Sequence, residues 1–133
     1  MYLLDTNICI YAMNSRPLEV LQRLAQVGPN AAAISSITAA ELAFGAVKSD
    51  RPGTKAAMEY FLAQMPVLDW GASAVWSYAQ TRLLLERAGQ RIGERDLFIA
   101  SHALALGRTL VTNNLREFMR VPGLRCENWV RTP

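Results

Sequence analysis

The stretch GERDLFIASHALALGRTLVT, residues 93–112, decides how this chain reads. Asp96–Leu106 is apolar on nearly every side, which predicts a helix buried on most of its faces. Gly107 is a stop signal, and Thr109–Thr112 follows as a short strand. A buried helix followed at once by a strand points to a sheet covered by helices.

The same alternation runs outward. Tyr2–Asp5 is a short apolar run ending in a polar turn. Pro17–Val27 reads as a helix: proline suits the first turn, and Leu18, Leu21, Leu24 and Ala25 recur at helical spacing until Gly28-Pro29-Asn30. Ala31–Ser35 is a second run, followed by helices over Thr38–Val47 and Thr54–Met65 and a strand at Pro66–Leu68. Gly71–Ala88 is the longest expected helix, with Ala72, Val75, Trp76, Ala79 and Leu83 on one face and Gly89 as its stop. Arg125–Trp129 is the expected last strand. Alternation of this kind requires crossover connections and parallel strands. The expected fold is a single three-layer α/β/α domain over residues 1–133, with a mostly parallel sheet of four to five strands.

Composition narrows the chemistry. At 133 residues and 51% hydrophobic content the chain suits one domain with a real core. Cys9 and Cys126 form no disulfide framework, and Asp5 interrupts any signal-peptide core. No window approaches the ~18 apolar residues of a membrane span. A cytoplasmic protein without a membrane partner is expected. The single histidine, His102, rules out two-histidine acid–base cleavage and a multi-histidine zinc site; it reads as a core or interface residue. Gly45-Ala46-Val47-Lys48-Ser49 lacks the spacing of a P-loop, and Asp5-Thr6-Asn7 lacks the second aspartate of a haloacid-dehalogenase-like phosphatase.

Charge is split along the chain. Residues 1–80 carry a net −1 and residues 81–133 a net +4, and 12 of the 14 basic residues are arginine. That bias is either a solvated basic face or an attraction for phosphate.

Four acids fall where strands end or helices begin: Asp5, Glu41, Asp96 and Glu117. In a parallel α/β sheet those points share one edge. Each has a bland reading. Asp5 and Asp96 fit helix starts, Thr38-x-x-Glu41 fits a capping box, and Asn114-x-x-Glu117 fits another capping pattern. Together the bland readings weaken, because two carboxylates ~5 Å apart repel by about 3 kcal/mol at an effective dielectric near 20. A hard cation bridges such a cluster, and all-oxygen ligands select magnesium or manganese over zinc.

LLDTN (residues 3–7), SSITAAELAFGA (35–46), GERDLFIASHAL (93–104) and LVTNNLREF (110–118) together resemble the PIN-domain family, and within it the VapC-type toxins of bacterial toxin–antitoxin pairs. The resemblance covers essentially the whole chain. It implies a magnesium-dependent endoribonuclease, with manganese as the other candidate ion. Asp5 and Asp96 would be the main metal ligands, with Glu41 and Glu117 completing the catalytic acids. Asn7, Thr112, Asn113 and Asn114 would line the site. It also implies a VapB-type antitoxin, a homodimer, a toxin–antitoxin hetero-oligomer and an RNA substrate. The Thr-Asn-Asn-x-x-Glu-Phe ending resembles the subgroup that cuts initiator tRNA in its anticodon loop.

Two positions depart from the family pattern. Asn114 stands where many PIN domains have aspartate, and Glu94 stands where relatives often have proline or a neutral residue. Trp70, Trp76, Met58, Met65, Tyr60 and Phe61 read either as core or as an antitoxin groove or dimer face. Two other functions remain open on the residues: a catalytically silent RNA-binding scaffold, and a metal-dependent phosphatase acting on small esters.

Overall fold

The computed structural model describes residues 1–131. The expected domain's last two positions, Thr132 and Pro133, lie outside the described residues. Five strands form one sheet: β1 (Tyr2–Leu4), β2 (Ala32–Ser35), β3 (Val67–Leu68), β4 (Thr109–Val111) and β5 (Cys126–Glu127). Their order is β3-β2-β1-β4-β5, and every pairing is parallel. The helices are α1 (Thr6–Asn14), α2 (Leu18–Val27), α3 (Ser36–Lys48), α4 (Pro52–Gln64), α5 (Ala72–Arg87), α6 (Glu94–Leu106) and α7 (Leu115–Phe118).

Strand side chains alternate between faces, so adjacent leucines in β1 serve two cores. Leu4 packs with Ile8, Val20, Ile34 and Leu42 on one face. Leu3 packs with Leu97, Ile99, Leu110 and Phe118 on the other. Both leucines are fully buried, which gives the three-layer α/β/α architecture expected from the sequence. Either one truncated to alanine costs about 2–5 kcal/mol.

Helix α1 entered the sequence reading only through Asp5 as a helix start, and that reading holds. Asp5 caps it by accepting the Thr6 N–H at 2.8 Å, and Ser15 ends it in the left-handed region at φ 53°. Helix α3 begins earlier than its capping-box reading. Ser35 is the N-cap, its hydroxyl accepting the Ile37 N–H at 3.2 Å. Glu41 therefore lies beyond the first turn and is free for other work. Pro17 likewise precedes α2 as its N-cap.

The apolar face of α5 read from the sequence points outward: Val75 is 46% and Trp76 74% exposed. The buried side is Ala74, Thr81 and Leu85. Tyr78, on the same side, stacks on Phe98 of α6 with ring centroids 4.8 Å apart. Small residues there let two helices approach closely, and the larger apolar residues are left on the solvent side. Helix α6 is buried as expected, including Ile99, Ala100, Ser101, His102 and Ala103, and Gly107 closes it at φ 65°.

Candidate active site

Strand order reverses around β1: β2 lies on one side and β4 on the other. In open parallel sheets the crevice beyond the carboxyl ends at such a point receives ligands. Asp5 is the residue immediately after β1. It is 9% exposed. One carboxylate oxygen accepts the Thr6 N–H at 2.8 Å, and the other accepts the Thr112 hydroxyl at 2.9 Å. Burial pushes its pKa upward, against the pull of the Thr112 and Thr6 bonds; the charges of Glu41 and Glu117 add to the rise.

Glu41 reaches the same crevice from α3. Its carboxylate accepts the Thr6 hydroxyl at 3.1 Å and is ion-paired with Arg95 of α6. Asp96 is the third residue of α6 and half-buried. Burial, then the charges of Glu117 and Asp5, drive its pKa up to about 7. Glu117 of α7 accepts the Gly93 N–H at 2.7 Å and the Asn114 side-chain amide at 2.8 Å. Chiefly the Gly93 bond, with help from Asn114, holds Glu117 below the ordinary glutamate range.

Asp5, Glu41 and Asp96 open onto a cleft of about 530 Å³ that Thr6, Asn7 and Asn114 also line; Glu117 stands beside it, bonded to the lining residues Gly93 and Asn114. Asn7 is exposed at its rim. Thr112 is fully buried behind Asp5: its hydroxyl donates to Asp5 and accepts the Asn114 N–H at 2.9 Å. Asn113 turns away, within 3.4 Å of the Tyr11 hydroxyl. Glu94 stands on the cleft wall.

The donor set suits a hard divalent cation. Every ligand atom these carboxylates offer is oxygen, and the burial and like charges that raise the Asp96 pKa are a penalty that a bound cation would relieve. Among the described residues no three Asp, Glu, His or Cys side chains are gathered into a ready-made cage. The carboxylates would have to close up on the ion.

The PIN domain family model matches residues 2–124. The chain belongs to the PIN domain family. Ribonuclease VapC2 of Haemophilus influenzae is 46% identical over 130 residues, covering 97% of this chain and 98% of that protein. The tRNA(fMet)-specific endonuclease VapC of Shigella flexneri is 43% identical over 129 residues, covering 96% and 97%. Among solved structures, VapBC2 from Rickettsia felis, bound to a DNA fragment from its promoter, superposes with a TM-score of 0.90 at 43% identity, covering 97% of this chain and 98% of that one.

In this PIN domain three of the four acids singled out in the sequence, Asp5, Glu41 and Asp96, line the cleft, and Glu117 lies beside it, bonded to Gly93 and Asn114. Arg95, Thr6 and the Gly93 N–H had not been expected there. Arg95 was legible only as an arginine beside Asp96, and a backbone N–H leaves no mark in a sequence. The aromatic and methionine set divides. Phe61 and Met65 pack against the core, Trp70 donates its indole N–H to the Phe98 carbonyl at 2.8 Å, and Met58 lies against Gly45. Tyr60 and Trp76 are 69% and 74% exposed. His102 is fully buried, with Nδ1 2.8 Å from the Ser35 hydroxyl, and takes no part in the crevice. No helix among the described residues is long and apolar enough to cross a membrane.

Proposed function

We propose that this chain, one PIN domain over residues 1–133, is a metal-dependent endoribonuclease acting in the cytoplasm as the toxin of a toxin–antitoxin pair. One observation carries this reading. Asp5, Glu41 and Asp96 line one cleft at the sheet's switch point, with Glu117 beside it on the Gly93 N–H, in a domain whose residues 81–133 carry a net +4. The ion is magnesium, with manganese able to replace it.

Asp5 and Asp96 would hold the ion, and Glu117 would complete the acidic wall. Bound there, the ion supplies the Lewis acidity that makes water a competent nucleophile at neutral pH and offsets charge developing on the phosphate. Thr112 and the Thr6 N–H fix both oxygens of Asp5, so that carboxylate is oriented before substrate arrives. Glu41, held by the Thr6 hydroxyl, accepts the proton of the attacking water. Asn7 and Asn114 face the RNA strand. Water attacks phosphorus in line, the bond to the 3′ oxygen breaks with that oxygen taking a proton from solvent, and the products carry a 3′-hydroxyl and a 5′-phosphate. His102 has no route to the phosphate, so a 2′,3′-cyclic product is not expected.

The substrate follows from the relative named as tRNA(fMet)-specific: we assign initiator tRNA, cut in the anticodon loop. The partner is a VapB-type antitoxin, as in the VapBC2 complex, within a hetero-oligomer built on a homodimer of this chain. The exposed Phe44, Val47, Tyr60, Val75, Trp76 and Leu83 supply apolar surface for those contacts.

The test is an RNA panel containing initiator tRNA, incubated with magnesium or EDTA and analysed for end chemistry. Cleavage in magnesium alone, leaving 5′-phosphates, is expected. Cleavage that survives EDTA contradicts metal dependence. Turnover of a phosphomonoester with intact RNA would replace the nuclease with a phosphatase.

A further inference from the structure

A second cavity, of about 300 Å³, opens beside the catalytic cleft. Glu94 lines both and forms the wall between them. Tyr78, Arg82, Glu86 and Arg91 contribute the other polar groups, over an apolar floor that includes Leu85 and Leu97. None of these side chains has a part in the chemistry above.

The cavity is organised from behind. The Tyr78 ring stacks on Phe98 at an interplanar angle of 13°, and Trp70 packs edge-on to both rings. Arg82 donates to the Tyr78 hydroxyl at 3.2 Å and pairs with Glu86 at 3.4 Å. The Arg91 carbonyl accepts the Arg120 guanidinium at 3.0 Å, which ties down the loop before α6. The result is an aromatic ring held in place, with planar guanidinium donors and carboxylate acceptors around it.

We propose that this cavity is a subsite for one unpaired nucleobase of the RNA strand, next to the phosphodiester that is cut. The inference rests on the ribonuclease reading and adds a specificity site to it. Single-stranded RNA is read by splaying bases onto aromatic rings or guanidinium planes and hydrogen-bonding their edges. Both kinds of surface are present here. The mixture of Arg82 and Arg91 with Glu86 and Glu94 is near neutral, which suits the donor and acceptor edge of a base better than a bare phosphate. The volume lies at the lower end of the ~300–1,000 Å³ of small-ligand sites, which fits a single base and not a duplex. Sharing Glu94 with the catalytic cleft places that base within a nucleotide or two of the cut.

The experiment uses whichever RNA of the panel the intact protein cleaves in magnesium. Its oligonucleotide is rebuilt with an abasic site at each position around the cut. Binding is followed by fluorescence anisotropy in EDTA, with cleavage in magnesium run alongside. For the wild type, one abasic position is expected to weaken binding about tenfold or more, the scale of a lost base stack. The variant R82A/R91A, whose arginines are outside the catalytic cleft, should bind intact RNA about tenfold more weakly and lose its response to that abasic site. Its thermal midpoint should stay near wild type. An abasic profile in R82A/R91A identical to wild type, or unchanged binding of intact RNA, overturns the subsite while leaving the ribonuclease reading standing. Failure of the wild type to cleave any RNA overturns both.

Discussion

At Asp96, folding and function oppose each other. Its carboxyl ionises near 3.8 in an open chain and at about 7 in the fold, because burial and the neighbouring Glu117 and Asp5 disfavour its charge. The fold therefore binds this proton more tightly than the unfolded chain does. Its contribution to stability is full at low pH and is lost as pH rises from about 4 to about 7. Glu117 shifts the other way, and its effect falls around and below its ordinary value of 4.5, outside most of that window. In EDTA the melting temperature should drop between pH 5 and pH 8. Magnesium should restore much of the loss at pH 8, and Asp96→Asn should flatten the profile while cutting cleavage by about 100-fold or more. Thermal melts at the two pH values check this directly. Thr112→Val removes a bond that lowers the Asp5 pKa, so the cleavage profile should move to higher pH. The acids themselves were legible in the sequence, because strand ends in a parallel sheet converge on one edge. The behaviour of Thr112 was not: lining the site and standing behind Asp5 leave the same letter in the chain.

At the scale of elements, α3 is the piece that delivers Glu41, and Ser35 sets where it starts. The Ser35 hydroxyl caps the Ile37 N–H and meets His102 Nδ1 inside the core. Ser35→Ala should cost about 1–2 kcal/mol, at the upper range for a cap, because a buried histidine loses its partner as well. Chemical denaturation would measure it. The capping box at Thr38 had pointed to a later start. The buried serine two residues beyond Ala33 won because its hydroxyl satisfies two groups at once. Helix α1 was legible only through Asp5 as its cap, because its apolar residues follow no strong period, whereas α2 shows clear helical spacing and was read within a residue. For α5 the helix was legible but its inner face was not. Two apolar stripes compete there, and close packing on α6 selects the one bearing Ala74, Thr81 and Leu85. Trp76→Ser should therefore change the stability of the isolated chain by no more than about 0.5 kcal/mol, as at other exposed sites. If that stripe is an assembly surface, the same substitution weakens the oligomer in sedimentation experiments.

For the molecule as a whole, charge is sorted by role. The carboxylates of the crevice lie at one edge of the sheet, and nine of the arginines fall in residues 81–133. RNA binding should weaken steeply with salt, log affinity falling linearly with log salt as counterions are retained. The three-layer architecture was legible from strand–helix alternation alone, because parallel strands need helices to cross over and cover both faces. The most direct test of the central claim is a calorimetric titration of manganese into the wild-type chain and into D5N/D96N. A saturable site that releases protons near pH 7 in the wild type and is absent from the double variant is the predicted result. Equal binding by both proteins, with the double variant folded, would contradict the assignment of this acidic crevice as the metal site.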